Sequence, residues 1–301
     1  NFHPFTELEY YGLFDGIDLR EVPWRRGRGY DTGALTNVYT ANDVWARLVV
    51  DQLSKHADDI DSVRALGFCV SVDHARFMAR AFERAGVRAA AVWSDSSEEE
   101  RRAALEQLRR GQIRVLFSVD LFNEGVDLPN VDTLLLLRPT DSPVLFLQQL
   151  GRGLRKHEGK RACLVLDFVG QHRREFRFDR RLQALLGGSR RHVERQVEAG
   201  FPFLPAGCHL ELEPRAREIV LRSIRESIPA NRTARGEELR RLAREGSVTL
   251  GSFLAEAGLE IEDVYQAGGS WSDLCEAAGL PIQPKGPEER ALRRACGRML
   301  H

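Results

Sequence analysis

Lysine is almost absent from this chain. Lys55, Lys156, Lys160 and Lys285 stand against forty arginines. The 44 basic residues are matched by 44 acidic ones, so net charge points to no polyanionic partner, and a bias this broad is also what genome composition produces. Cysteine is sparse and odd in number: Cys69, Cys163, Cys208, Cys275 and Cys296. No Cys-x-x-Cys pair and no His-Glu-x-x-His occurs, which argues against a disulfide framework and a structural zinc. Reduced thiols suit a cytoplasmic location. No apolar run approaches the ~20 residues that span a bilayer, and no signal-peptide pattern is visible, so no membrane partner is expected. The glycine-rich loop Gly-x-x-x-x-Gly-Lys-Ser/Thr is also missing. Asp58-Asp59-Ile60-Asp61 does not follow a buried strand and is a poor metal-binding motif.

What is present has an organisation. A length of 301 residues suits about two domains. Residues 1–45 are rich in glycine, proline and aromatics and read as a connecting segment, with Leu8 to Phe14 a candidate strand and Trp24 to Gly29 a basic loop. From about residue 64 to 169 apolar strand-like runs alternate with amphipathic helical spacing. Runs at 64–72, 89–93, 113–117, 131–137 and 162–168 read as strands. Between them the spacing predicts helices over 42–57, 75–85, 97–110 and 142–154, with Asp73 and overlapping Ser-x-x-Glu boxes at Ser96 and Ser97 as caps. Fully apolar strands between helices indicate a parallel sheet covered on both faces, and such sheets hold ligands at their strand C-termini. Residues 171–209 read as an Arg-rich helix and connector, and 210–301 as all-helical. In that last part Phe253 to Leu259 echoes Leu274 to Leu280, each a helix closed by glycine. Thr249 to Gln266 reads either as a helix-turn-helix or as part of a small bundle whose glycines merely cap helices.

Two blocks carry chemistry. Residues 148–155 read Gln-Gln-Leu-Gly-Arg-Gly-Leu-Arg, and residues 122–129 read Phe-Asn-Glu-Gly-Val-Asp-Leu-Pro. Arg152 and Arg155 are three apart and share a helix face. Two fixed guanidiniums on one face suit a polyphosphate. In this order, each after an apolar strand, the blocks resemble the two C-terminal motifs of superfamily 2 helicases and translocases. That resemblance covers about residues 60–170. It implies a RecA-like parallel sheet flanked by helices at 46–170, followed by a smaller all-helical domain. It also implies ATP and Mg2+ as cofactors, bound mainly by a first RecA-like domain that supplies the phosphate loop and is absent from this chain.

By the same resemblance Arg155 is the arginine finger and Arg152 its partner toward the phosphates. Gly125, Asp127, Gln148 and Gly151 belong to the ATP site, and Ser71, His74, Ser118 and Asn123 to the nucleic-acid track. Glu124 and Val119 stand where RNA helicases of this type carry Arg and Thr, which favours DNA over RNA. Four segments, Pro4 to Leu19, Trp24 to Gly29, Gly67 to Met78 and Gly170 to Cys208, look like a bacterial helicase group often fused to a phospholipase-D-type nuclease. No His-x-Lys nuclease motif is present. The expectation is the C-terminal half of an ATP-dependent DNA helicase or translocase, inactive without its first domain. The alternative is a nucleic-acid-binding adaptor that keeps the fold without hydrolysis.

Overall fold

A computed structural model describes residues 7–25, 28–120, 131–155, 157, 160–188, 190–226, 229, 231–244, 246–265 and 269–282. Its centre is a seven-stranded sheet. The strands are β1 (Glu7–Asp18), β4 (Ala65–Phe68), β5 (Ala89–Trp93), β6 (Val115–Val119), β7 (Thr133–Leu136), β8 (Ala162–Gln171) and β9 (Cys208–Leu212). They lie in the order β5-β6-β4-β7-β8-β1-β9, and every pairing is parallel. A short antiparallel ribbon, β2 (Trp24–Arg25) with β3 (Gly29–Tyr30), stands apart. Every residue of β4, β6 and β7 is buried, because helices cover both faces and leave no solvated side to alternate toward.

The helices follow the expected spacing closely. Those in the first half are α1 (Thr32–Thr40), α2 (Asp43–His56), α3 (Val72–Arg84), α4 (Glu98–Arg109) and α5 (Pro143–Gly153). α4 starts in a complete capping box between Ser97 and Glu100 and ends before Gly111, whose φ of 68° suits glycine. α3 begins three residues earlier than expected. Its cap is Ser71, which accepts from the His74 amide, and Asp73 lies inside the first turn.

Three expectations are corrected. Residues 7–45 are part of the sheet domain. β1 inserts between β8 and β9, with Tyr10 opposite both Val165 and Leu210. Gly12 makes this possible, since a Cβ there would meet Leu212 Cδ2 at 2.2 Å. Second, α1 forms despite five threonine, asparagine and valine positions of low propensity, because Asp31 caps it through a 2.8 Å bond from the Ala34 amide and Leu35 and Tyr39 are buried. Third, the domain boundary moves. α6 (Phe178–Leu186), α7 (Arg190–Ala199), β9 and α8 (Pro214–Glu226) share one apolar core that runs from Leu8 to Ile224. A separate core, Leu239 to Ala278, is built by α9 (Arg232–Ala243), α10 (Leu250–Ala257), α11 (Ile261–Tyr265) and α12 (Trp271–Ala277). The break therefore falls between residues 226 and 232.

Truncation separates the two boundaries. A chain starting at residue 46 lacks β1 and exposes the buried edge of β8, so it should show no cooperative urea transition. A chain ending at residue 230 keeps the whole first core and should unfold cooperatively. Cooperative unfolding of the 46–301 chain would restore the original boundary.

Candidate functional site

α5 divides its faces sharply. Phe146, Gln149, Leu150 and Gly153 are buried, while Val144 is 65% and Leu147 44% exposed. At 100° per residue Gln148 and Gly151 fall on the same outward side, both exposed, with Arg152 at its margin. The helix starts with a Ser142 cap and Pro143 in its first turn. Its inner end is pressed tightly against the sheet: a Cβ on Gly153 would meet Cys163 Sγ at 2.3 Å and Leu134 Cδ1 at 2.9 Å. A Cβ on Gly151 would meet nothing within 4 Å. The chain's own packing therefore requires glycine at 153 and does not at 151.

Arg152 is half-buried and Arg155, just past the helix end, is exposed. Partial burial and the charge of Arg155 together lower the Arg152 guanidinium from its ordinary value. Two cations held close enough to oppose one another make a local positive potential that a polyanion relieves. The donor set Arg152, Arg155 and Gln148 thus fits phosphate oxygens. Among the described residues no group of three His, Cys, Asp or Glu side chains could hold a metal.

Phe146 seats the helix. Its ring is fully buried, with the Arg181 guanidinium 4.5 Å from its centroid and the Tyr10 ring edge-on at 6.4 Å. Arg181 and Tyr10 both donate to Asp167, and all three are buried. Burial, reinforced by Asp167, pushes the Tyr10 hydroxyl well above its ordinary value. Neither Arg181 nor Tyr10 stood out in the sequence, because nothing in a local pattern tells a buried ion pair from a solvated arginine. Lys160, whose ammonium reaches the end of α5, left one signal: it is among only four lysines.

The other expected residues divide. Asn123, Gly125 and Asp127 lie outside the described residues. Ser71 is half-buried at the start of α3 and shares a 2.8 Å hydrogen bond with the Thr36 hydroxyl. His74 and Ser118 are corrected. His74 is fully buried, stacked on Tyr39 at 4.8 Å, and its Nδ1 accepts from the Val70 amide at 3.3 Å. Ser118 is 2% exposed and its hydroxyl faces the Gly67 carbonyl at 3.5 Å. Both side chains serve the core, and neither can reach a strand phosphate in this arrangement. At the strand ends an unanticipated pair occurs instead, Arg138 with Asp120 at 2.5 Å. Arg138 also lines a cleft of about 1250 Å³ between the sheet domain and the helical unit, together with Trp24, Arg28, Arg174 and Ser252.

Buried titratable groups in this region set an acid response. Burial lowers His74 from 6.5 to about 3, and burial followed by the Arg181 charge does the same to His172. Both stay neutral in the fold and charge on unfolding, so their contribution is full above pH 6.5 and is lost as pH falls toward 3. Asp15 runs the other way. Burial raises it from 3.8 to about 7, against hydrogen bonds from Ile17 and Trp45. The fold holds a proton that the unfolded chain has shed, so its contribution declines as pH rises from 3.8 to 7. Asp15→Asn should therefore steepen the loss of stability between pH 6.5 and 5 by about 1.4 kcal/mol per pH unit. Urea midpoints over that range read this directly, and parallel curves for the two proteins would refute it.

Comparison with known proteins then places the domain. The family model described as "Helicase conserved C-terminal domain" matches residues 48–157. The chain is 41% identical over 120 residues to the putative mitochondrial ATP-dependent helicase irc3 of Schizosaccharomyces pombe, covering 40% of this chain and 20% of that protein. It is 38% identical over 103 residues to the putative ATP-dependent helicase IRC3 of Saccharomyces cerevisiae, covering 34% of this chain and 15% of that protein. The matched part thus spans a fifth or less of either relative's length. Among solved structures, the C-terminal domain of the DEAD-box protein Dbp5 aligns at 12% identity and a TM-score of 0.42, over 74% of this chain and 99% of that one. The yeast DEAD-box splicing factor Prp28 aligns at 13% identity and a TM-score of 0.45, over 71% of this chain and 37% of that one. Over residues 48–157 the chain is thus similar to a helicase conserved C-terminal domain, and in part to putative ATP-dependent helicases.

Proposed function

We propose that the chain is the C-terminal half of an ATP-dependent helicase or translocase acting on DNA. Arg155 is its arginine finger, and Arg152 is the partner cation at the phosphates. The observation that carries this reading is the outward face of α5. There Val144, Leu147, Gln148 and Gly151 are exposed together beside Arg152 and Arg155. An exposed apolar pair beside two close guanidiniums suits a surface closed by a second domain with an anion between them. Gly151 fits this, since the space above it is empty in the chain alone.

Phosphoryl transfer from ATP spreads negative charge over the transferred group, with little covalent chemistry left to the protein. ATP supplies the phosphoryl group and the facing domain supplies the metal site. Arg155 stabilises the spreading charge, Arg152 holds its orientation, and Gln148 donates a hydrogen bond at the rim. Gly125 and Asp127 belong to the same site by motif. Ser71 and Asn123 serve the nucleic-acid track, beside the N-terminus of α3. The preference for DNA over RNA rests on Glu124 and Val119.

The test is steady-state ATPase of the polypeptide extended upstream of Asn1 by one domain, with single-stranded DNA, duplex DNA and RNA in turn. DNA-stimulated turnover is expected. Arg155→Ala should lower kcat by about 10³-fold or more with the thermal midpoint unchanged. Retained turnover in that variant would remove the finger assignment. Turnover stimulated by RNA alone would reverse the DNA assignment.

A further inference from the structure

Lys160 lies on the approach to β8 and is half-buried. Its Nζ donates to three backbone carbonyls: Val131 at 2.5 Å, Gly153, and Arg155 at 3.3 Å. Gly153 is the last residue of α5, where a helix leaves carbonyls without intrahelical partners and a cation is favoured by the dipole. Arg155 is the residue assigned above to the phosphates. Val131 is the first described residue after the segment that holds Gly125 and Asp127, and the chain enters β7 two residues later. One ammonium therefore ties the end of the arginine helix, the backbone of the proposed finger residue and Val131 at the entry to β7. The backbone on its own side is fixed as well, since the Lys160 amide donates to the His157 carbonyl at 3.2 Å.

The choice of residue follows from donor geometry. A lysine ammonium is compact and offers three donors that rotate to three separate acceptors, whereas a guanidinium is planar and suits two parallel acceptors. In a chain with forty arginines and four lysines, the position that must gather three carbonyls holds lysine. Burial lowers the ammonium from its ordinary value, opposed by the nearby Asp132 carboxylate. Asp132 is itself fixed by the Arg64 amide at 3.0 Å and the Thr133 hydroxyl at 2.8 Å.

We propose that Lys160 is the positioning residue of the arginine site, acting through the backbone at Gly153 and Arg155 without touching the nucleotide. This rests on the reading of Arg155 as the finger, so the test has two arms. In the chain itself, Lys160→Met should raise amide exchange at residues 153–155 by about ten-fold or more, while amides of β4, β6 and β8 keep their protection. Unchanged exchange at 153–155 overturns the clamp without any reference to activity. If the methionine variant fails to fold, Lys160→Gln carries the same measurement. In the upstream-extended polypeptide, the substitution should lower kcat by about 10- to 100-fold, as a misplacement of about 1 Å does, with KM for ATP nearly unchanged. Combined with Arg155→Ala it should cost nothing further, since both act on one group. Additive losses, or a change confined to KM, overturn the positioning role. Full turnover in Arg155→Ala alone instead removes the finger assignment, and with it the route by which Lys160 would act.

Discussion

The arrangement depends on one buried carboxylate. Asp167, in the middle of β8, accepts from both Arg181 of α6 and Tyr10 of β1. Phe146 of α5 packs against the same arginine and tyrosine. Four elements far apart in sequence thus meet at one ion pair. A buried pair is not a strong source of stability in itself, because the desolvation cost nearly cancels the attraction. Removing one partner is another matter, and costs about 3–5 kcal/mol by stranding the other charge. The pair therefore specifies more than it stabilises. It admits β1 beside β8 because Tyr10 supplies a donor, and it fixes α5 because only one placement of Phe146 lies over the guanidinium. The outward direction of Gln148, Gly151 and Arg152 follows from that placement.

This explains what was legible in the sequence and what was not. Period and caps are local, so α2, α4, α5 and α10 were readable to within a residue or two. The apolar strands β4 to β8 were readable because parallel strands buried on both faces cannot hide their composition. The spacing of the motif arginines predicted one shared helix face, but α5 ends at Gly153, so Arg152 lies on the helix and Arg155 past it. Membership in the sheet is non-local. β1 was expected over Leu8 to Phe14 and runs on to Asp18; its partner strands lie more than 150 residues away, and a Gly- and Tyr-rich strand beside a basic loop looks like a connector. β9 has only five residues, two of them buried, too few to show a period. His74 misled for a related reason. At a helix start after a strand, its sequence position suits an anion contact, but Tyr39 and Trp45 close over its ring. Those residues come from α1 and α2, which the linker reading had placed outside the domain.

The helical character of the last unit was foreseen, with a helix-turn-helix and a small bundle whose glycines cap helices both left open. α10 closes with Gly258 in the left-handed region at φ 65°, as the repeated Gly-Leu pairs suggest. The turn after it is already engaged. Arg190 donates to the Gly258 carbonyl, Arg177 to the Glu256 carbonyl at 3.0 Å, and Arg191 pairs with Asp263 at 3.1 Å. Arg177 presses so close that a Cβ on Gly258 would meet its guanidinium at 2.2 Å. A helix-turn-helix that reads DNA needs its second helix free to enter a groove. Here that helix, α11, has five residues, and its Asp263 side chain is buried against α7 and α9 arginines. The motif-like hairpin is the dock by which the second core holds to α6 and α7. The arginine-rich character of residues 171–195 then has a structural cause, since these side chains bridge two cores through carbonyls and carboxylates.

The same division of labour appears in α5 on a smaller scale. Its inner face is committed to Phe146, Leu150 and Gly153, each fixed by contacts within the sheet domain. Its outer face has no such commitments, and a Cβ on Gly151 would touch nothing. On the proposed reading, Val144 and Leu147 stay wet in the chain alone and the charge of Arg155 opposes that of Arg152. Both terms change sign when a second surface covers the valine and leucine and an anion lies between the arginines. The features that are costs in the chain alone become favourable only in that closed state, so the free energy of closing is coupled to the presence of the anion. Under the proposed function, binding and loss of phosphate charge at Arg152 and Arg155 would alter how firmly α5 is held from outside. The rigid seating of the inner face on Phe146 and Asp167 then passes the change to the sheet as a whole, since a helix fixed to β7 and β8 cannot shift alone.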